Sequence, residues 1–198
     1  MEVSGENERG RPRPRHVALS WAVANIAAAS VVITSASLAQ TTGPVNLAPT
    51  PQLSCVTGEY RQFDFWVGKW DVFNTKDNKP AGSSVIESLY AGCALRENWS
   101  EPGFSGGSLN AYNAADKNWH QTWTDAAGAW REFVGGMEGE KMVLIWRHAS
   151  VRNPSKTVQV RMTFTPNPDG SVRQYSDQSI DGVQWVERYD YTYRHARP

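Results

Sequence analysis

Beyond residue 68 the chain alternates between apolar and polar residues with a period of two, the pattern of β-strands buried on one face. Ten runs of this kind follow one another at regular spacing, and turns such as Asp169-Gly170 and Asp181-Gly182 separate several of them. No helical period longer than a turn or two is visible. The predicted strands are 69–75, 83–91, 94–100, 108–113, 118–124, 129–135, 141–147, 156–165, 171–180 and 183–194.

Short turns make successive strands antiparallel neighbours. A meander of about ten short strands has two unpaired edges unless it closes on itself, so closure into a barrel is expected. We therefore predict an all-β fold in which a single antiparallel meander forms a closed β-barrel. The aromatic stretch 60–66 is expected to form a short helical turn that closes one end, with Gly68 as the joint to the first strand.

One face of the predicted strands is strongly aromatic and is expected to point into the barrel. This inward set comprises Trp119, Trp123, Trp130, Val134, Met142, Leu144, Trp146, Val158, Val160, Met162, Phe164, Trp185, Tyr189, Tyr191 and Tyr193. The same face carries the polar residues Asn110, Tyr112, Gln121, Glu132, Gln174 and Glu187. The opposite face, expected to meet solvent, carries His120, Thr122, Arg131, Gln159, Arg161, Arg173 and Asp177.

A few polar groups within an apolar wall are typical of a ligand cavity. We predict that a small apolar or aromatic ligand contacts the tryptophans of the barrel interior and is oriented by three polar residues. The tryptophans are Trp119, Trp123, Trp130, Trp146 and Trp185, and the polar residues are Asn110, Tyr112 and Gln121. A solid core, in which the polar groups bond to one another or to buried water, is an equally weighted alternative.

The N-terminal segment resembles a secretory signal peptide. A basic stretch at 11–16 precedes an apolar run at 17–33, and Ser37 and Ala39 occupy the small-residue positions of a cleavage site before Gln40. An uncleaved membrane anchor is the alternative, although polar residues interrupt the run. We assign 1–39 to the signal peptide, 40–57 to a flexible linker rich in Pro and Thr, and 58–198 to the barrel. The mature protein is expected to be periplasmic or secreted, without stable membrane insertion.

Export determines how the two cysteines are interpreted, because thiols in an oxidising compartment usually pair. We predict a disulfide between Cys55 and Cys93; two buried free thiols are the alternative. The formal net charge is zero at pH 7, which gives the chain no electrostatic reason to bind nucleic acid. Nothing in the sequence indicates an oligomeric state.

No catalytic or metal-binding constellation is apparent. The sequence contains no set of His, Cys or carboxylate residues at metal-ligand spacing. Glu97, Glu132 and Glu187 would be candidate acid or base groups if they lined a cavity, but buried carboxylates are more often structural. His120 and His148 are single histidines that we expect to be solvated or locally bonded.

Five motifs resemble an uncharacterised bacterial family of domains of unknown function, over a span from Phe63 to the C-terminus. They are Phe63-Asp-Phe-Trp-x-Gly68-x-Trp70-Asp-Val, Gly92-Cys-x-Leu-x-Glu97-Asn-Trp99, Gly107-Ser-Leu-Asn110-x-Tyr112-Asn113, Trp119-His-Gln-Thr-Trp123-x-Asp125 and Asp169-Gly-Ser-Val-Arg-Gln174. The family resembles the lipocalins and other calycins, which implies a lipocalin-like barrel and no established activity.

Gly68-x-Trp70 is similar to the lipocalin Gly-x-Trp element, in which the Trp packs beneath a basic residue of the last strand. The resemblance implies Arg194, or else Arg188, as that residue. Nitrobindin-like barrels, which hold haem through one histidine, are a neighbouring resemblance and the source of the haem alternative; otherwise we expect no cofactor and no metal. The sequence thus favours an exported barrel that binds a small hydrophobic ligand. An enzyme acting on a small hydrophobic substrate and a structural envelope domain with a filled core are the alternatives.

Overall fold

The computed structural model describes residues 55–197 of the chain. The predicted signal peptide at 1–39 and the greater part of the predicted linker, 40–54, lie outside these residues. Across 55–197, no helix combines the length and the apolar character needed to cross a membrane.

Ten strands and three short 3₁₀ helices make up the described chain. The 3₁₀ helices span Gly58–Arg61, Asp64–Trp66 and Tyr90–Gly92. The strands are β1 (Gly68–Asn74), β2 (Pro80–Leu89), β3 (Ala94–Glu101), β4 (Phe104–Asn113), β5 (Asn118–Asp125), β6 (Trp130–Glu138), β7 (Lys141–Ala149), β8 (Thr157–Pro166), β9 (Val172–Ser179) and β10 (Val186–His195).

The strands form a closed antiparallel barrel, as predicted. Each strand pairs with its neighbours in the chain, and β1 pairs with β10 to close the sheet, with Val72 opposite Tyr193. Closure gives the backbone groups of β1 and β10 partners that they would lack in an open meander. The short 3₁₀ segment before β1 also matches the predicted helical turn.

Aromatic side chains fill the end of the barrel that the first two 3₁₀ helices cover. Phe63 and Trp66 are completely buried and stack with ring centroids 4.9 Å apart, and Phe164 from β8 contacts both rings. Trp119 from β5 meets the edge of Phe63 at 5.7 Å. We call this the closed end. Its offset and edge-on ring contacts add to the free energy gained by burial.

Trp70 seals the closed end from β1. Its side chain is 1% exposed, and its Nε1 donates a hydrogen bond of 2.9 Å to the backbone oxygen of Trp66. Gly68, two residues earlier, has a φ of 154°, in the region that favours glycine, and an added Cβ would lie 3.3 Å from the Trp70 ring. The predicted structural roles of Gly68 and Trp70 therefore agree with the geometry.

The predicted partner of Trp70 is wrong. His195, at the end of β10, stacks on the Trp70 ring with centroids 4.1 Å apart. Arg194 lies on the other face of the strand, where its guanidinium covers the ring of Phe73 at 4.7 Å, and Arg188 donates to Gln178. Because adjacent strand residues point to opposite faces, Arg194 is excluded from the side of β10 that His195 occupies.

The predicted disulfide between Cys55 and Cys93 is present, with Cα atoms 5.1 Å apart. It joins Cys55, three residues before the first 3₁₀ helix, to the connection between β2 and β3. Arg61 from that helix also donates a hydrogen bond to the backbone oxygen of Gly92. A covalent and a polar contact therefore hold the helical segment over the closed end.

Candidate functional site

A cavity of about 210 Å³ occupies the other half of the barrel, towards the end where β3, β5, β7 and β9 terminate. We call this the open end. Aromatic side chains therefore pack one half of the interior, and this cavity lies in the other half. The lining residues are Glu97, Trp99, Glu101, Phe104, Gln121, Trp123, Asp125, Arg131, Phe133, Trp146, Val160, Met162, Gln174, Ser176, Arg188, Tyr189, Tyr191 and Tyr193.

Three of the eight predicted ligand-binding residues line this cavity, namely Gln121, Trp123 and Trp146. Asn110 lies behind them: it is 1% exposed, and its Oδ1 accepts a 2.7 Å hydrogen bond from Gln121 Nε2. It supports the cavity wall without lining it. The polar residues predicted for one site are thus only partly brought together.

Tyr112 and Trp119 share the inward face but lie at the closed end. Tyr112 meets the edge of the Tyr60 ring at 5.2 Å, and Trp119 Nε1 donates to Gln62 Oε1 at 3.1 Å. Both residues therefore contact the helical segment that covers the barrel. Alternation within a strand gives the correct face here, but it gives no position along the barrel axis.

The prediction for Trp130 is wrong, because β6 presents the opposite face to the interior. Phe133 pairs with Gln121 and Arg131 pairs with Trp123, so Arg131 and Phe133 point inward with those partners. Trp130 is 66% exposed, and Glu132 and Val134 share its outward face. Paired residues in adjacent strands point to the same face of the sheet. The register with β5 therefore determines which residues of β6 point into the barrel.

The prediction for Trp185 is also wrong. This residue precedes β10, and its ring lies under the guanidinium of Arg161 at 4.1 Å, outside the barrel wall. Arg161 in turn binds the Asp177 carboxylate through two hydrogen bonds. A bulge between Glu187 and Tyr189 then changes the phase of β10, so Glu187 faces outward and pairs with a lysine, contrary to expectation.

Asp125 organises the mouth of the cavity. Its carboxylate accepts hydrogen bonds from Trp123 Nε1 at 2.9 Å and from Arg131 Nη1 at 3.1 Å. Its other oxygen accepts the backbone N–H groups of Ala127 and Ala129. The bond from Trp123, followed by those from the backbone and from Arg131, lowers the pKa of Asp125 to about 2. One ionised side chain therefore fixes an aromatic ring and a guanidinium at the opening.

Glu97 is the buried carboxyl group of the cavity. It is 4% exposed, and its two oxygens accept hydrogen bonds from Ser84 Oγ at 3.2 Å and Ser108 Oγ at 2.9 Å. Burial raises the pKa of Glu97 to about 7, and the two hydroxyl groups offset only part of this effect. The carboxyl group therefore changes charge near neutral pH.

The tyrosines of β10 form the wall near Glu97. Tyr189 and Tyr191 stack with centroids 4.9 Å apart, and burial raises the pKa of both. Tyr193 donates a 2.7 Å hydrogen bond to Gln174 Oε1. The hydroxyl of Ser176 is completely buried beside that of Tyr189. A ligand that reaches this wall would therefore meet aromatic faces and hydroxyl groups.

Replacing Glu97 with Gln is expected to remove a pH dependence of stability. Since the pKa of Glu97 is raised from 4.5 to about 7, the folded protein keeps a proton that the unfolded chain releases over this range. The contribution of Glu97 to the free energy of unfolding is fully present below pH 4.5 and falls, on the order of 3 kcal/mol, as pH rises to about 7.

Urea denaturation of wild type and Glu97→Gln at several pH values measures this difference. Glu132→Gln, the same change on the outer face, is the control and should follow wild type. The raised pKa of Glu97 would be contradicted if the free energies of unfolding of wild type and Glu97→Gln differ by the same amount at acidic and alkaline pH.

The sequence indicates Glu97 only as a candidate acid or base and does not identify Trp99, Phe104 or Phe133 as cavity residues. The signal for Glu97 and Trp99 is the alternation of β3, in which Leu95, Glu97 and Trp99 share a face. Hairpin pairing of Glu97 with Ser108 would have placed the carboxyl group beside an inward hydroxyl. Phe133 could be identified only by knowing which face of β6 points into the barrel.

The histidines do not converge on the cavity. His120 lies on the outer face and its Nε2 is 2.8 Å from Asp116 Oδ2, while His148 stacks on Trp146 with centroids 4.0 Å apart. Over residues 55–197, no group of three or more His, Cys, Asp or Glu side chains is arranged to hold a metal ion.

The chain matches no protein-family model, and a search of the curated proteins finds no match. One fold supports many activities, so the barrel by itself does not assign a function.

Proposed function

We propose that the protein is an exported, lipocalin-like barrel that binds a small hydrophobic or aromatic ligand in the cavity at its open end. The observation that carries this proposal is the cavity itself, in which aromatic walls surround a few polar groups. Concave, mostly apolar sites with a small number of placed polar groups are typical of ligand binding. A structural domain with a filled core, the alternative from the sequence, has no need of this space.

The volume restricts the size of the ligand. An engineered apolar cavity of about 150 Å³ holds one benzene molecule, whereas sites for drug-sized ligands begin at roughly 300 Å³. The value of about 210 Å³ lies between these two figures. We therefore expect a ligand of one ring, or a short aliphatic chain, with a few attached heavy atoms. Haem is much larger than this space.

Export is supported by the disulfide together with the signal-like sequence of the leader. Cys55 and Cys93 pair in the structure, and disulfides persist mainly in oxidising compartments. A periplasmic or secreted protein of this kind would act as a carrier, a scavenger or a sensor of its ligand.

An enzyme is the second candidate, and Glu97 is the observation that favours it. A carboxyl group with a pKa of about 7 that faces a cavity is suited to proton transfer near neutral pH. Binding needs only the cavity, whereas catalysis also needs a reacting partner. We therefore place binding first.

Titration with small aromatic and aliphatic compounds is expected to change the tryptophan fluorescence of the protein, since Trp99, Trp123 and Trp146 line the cavity. Benzyl alcohol and octanol form a suitable panel, and haem, which is larger than the cavity, is the compound expected not to bind. Replacing the buried cavity residue Ser176 with Leu should weaken binding of the small compounds at least about tenfold, or 1.4 kcal/mol, by occupying the space.

Ser100→Leu is the matched control, because Ser100 is exposed on the outer face of β3. Circular dichroism and melting curves establish that both variants fold. If no compound of the panel alters the fluorescence, or if folded Ser176→Leu binds as well as Ser100→Leu, ligand binding in this cavity is wrong.

A further inference from the structure

The cavity contains a buried acidic group without a basic partner. Among residues 55–197, Glu97 bonds to two serine hydroxyls, and no Lys, Arg or His side chain lies within salt-bridge distance. Buried carboxylates are usually paired with a cation or strongly hydrogen-bonded. Glu97 therefore leaves a place in the cavity where a positive charge would be stabilised.

A chain of hydrogen bonds behind Glu97 runs towards it. Gln121 Nε2 donates to Asn110 Oδ1 at 2.7 Å, and Asn110 Nδ2 donates to Ser108 Oγ at 2.9 Å. Ser108 Oγ then donates to Glu97 Oε2. Asn110 and Ser108 each receive a hydrogen bond from one neighbour and donate one to the next, so the network ends on the carboxyl group as an acceptor. This direction favours an ionised Glu97 that faces a ligand carrying hydrogen-bond donors.

Aromatic faces surround the same space. Trp99 stacks on Tyr191 with centroids 5.9 Å apart, and Trp123 is held at the opening by Asp125. The faces of such rings attract cations and also stack on aromatic groups. A ligand that combines a positive charge with an apolar body would use both properties of the wall.

The arginines of the cavity are placed at its mouth and are already engaged. Arg131 binds Asp125, and Arg188 donates to Gln178 at 2.8 Å. An anionic ligand would therefore meet the carboxyl group of Glu97 inside the cavity. At the opening it would have to compete with Asp125 for Arg131 and with Gln178 for Arg188. Like charges at close range disfavour each other, so the interior selects against anions.

We propose that the ligand of this cavity is a small amine, with its ammonium group held by Glu97 and its aromatic or short apolar body packed against Trp99, Trp123 and Tyr191. The inference rests on the proposed ligand-binding function and specifies the chemical class of the ligand. Ser84 and Ser108 orient the Glu97 carboxylate, and the ammonium group replaces the missing basic side chain.

Three compounds of similar size separate charge from shape: 2-phenylethylamine, 2-phenylethanol and phenylacetate. Isothermal titration of the full mature protein at about pH 8, above the pKa of Glu97, is the measurement. The amine is expected to bind about 10- to 100-fold more tightly than the alcohol, as for a buried hydrogen bond to a charged group, and phenylacetate more weakly than both. In Glu97→Gln the amine should lose this advantage while the alcohol still binds.

Glu132→Gln, on the outer face, is the matched control and should retain the preference of wild type. Binding of 2-phenylethanol by Glu97→Gln also shows that the variant has kept its cavity. If the alcohol or phenylacetate binds as tightly as the amine, or if Glu97→Gln keeps the preference, the amine assignment is overturned and ligand binding stands. If none of the three compounds binds wild type, the proposed function and the amine assignment both fail.

Discussion

Replacing Trp70 with alanine is expected to lower the free energy of unfolding by about 3–5 kcal/mol, the usual cost of removing a large aromatic side chain from a core. The ring is 1% exposed, stacks on His195 and donates a hydrogen bond to the backbone oxygen of Trp66. The variant loses these contacts, leaves a void at the closed end and deprives a buried carbonyl of its donor. Urea denaturation monitored by circular dichroism measures the effect.

Trp130→Ala is the matched control, because the same side chain is 66% exposed on the outer face of β6. We expect it to change stability by no more than about 0.5 kcal/mol. Similar midpoints for the two variants would show that Trp70 does not seal the barrel.

Removing the disulfide is expected to have the second largest effect. Cys55 and Cys93 close a loop with a sequence separation of 38 residues. In the chain-entropy model a link of this length stabilises the folded state by roughly 3–4 kcal/mol. The double variant Cys55→Ser, Cys93→Ser should therefore unfold at a clearly lower urea concentration, and the first 3₁₀ helix should become more sensitive to proteolysis.

Reduction by dithiothreitol provides an internal control for this variant. It should destabilise wild type by a similar amount and leave the serine variant unchanged. Equal stability of oxidised and reduced wild type would contradict a stabilising role for the bond.

The fold was accessible from sequence because its determinants are local. Alternation identified all ten strands, with boundaries displaced by a few residues, as for β2, which begins at Pro80 and not at Ser83. Turn residues indicated antiparallel order, and closure followed from the need to satisfy the strand edges. The pairing of Cys55 with Cys93 needed only the compartment argument, since the described chain holds no other cysteine.

The site was less accessible because it depends on relations between strands. In β6, Trp130 and Val134 compete with Phe133 for the inward face, and only the register with β5 decides between them. In β10, the bulge before Tyr189 changes which residues face the interior. A regular alternation with a period of two does not predict that change. The predicted last strand ends at residue 194, whereas the pairing of His195 with Trp70 includes His195 in β10.

For the ligand-binding function that we propose, the filled end of the barrel has a kinetic consequence. With Phe63, Trp66 and Trp70 packed at the closed end, a bound molecule would exchange with solvent through the opening, where Asp125 holds the ring of Trp123. Association and dissociation would then pass the same ring. We therefore expect the residence time of a ligand to depend on how often Trp123 leaves Asp125.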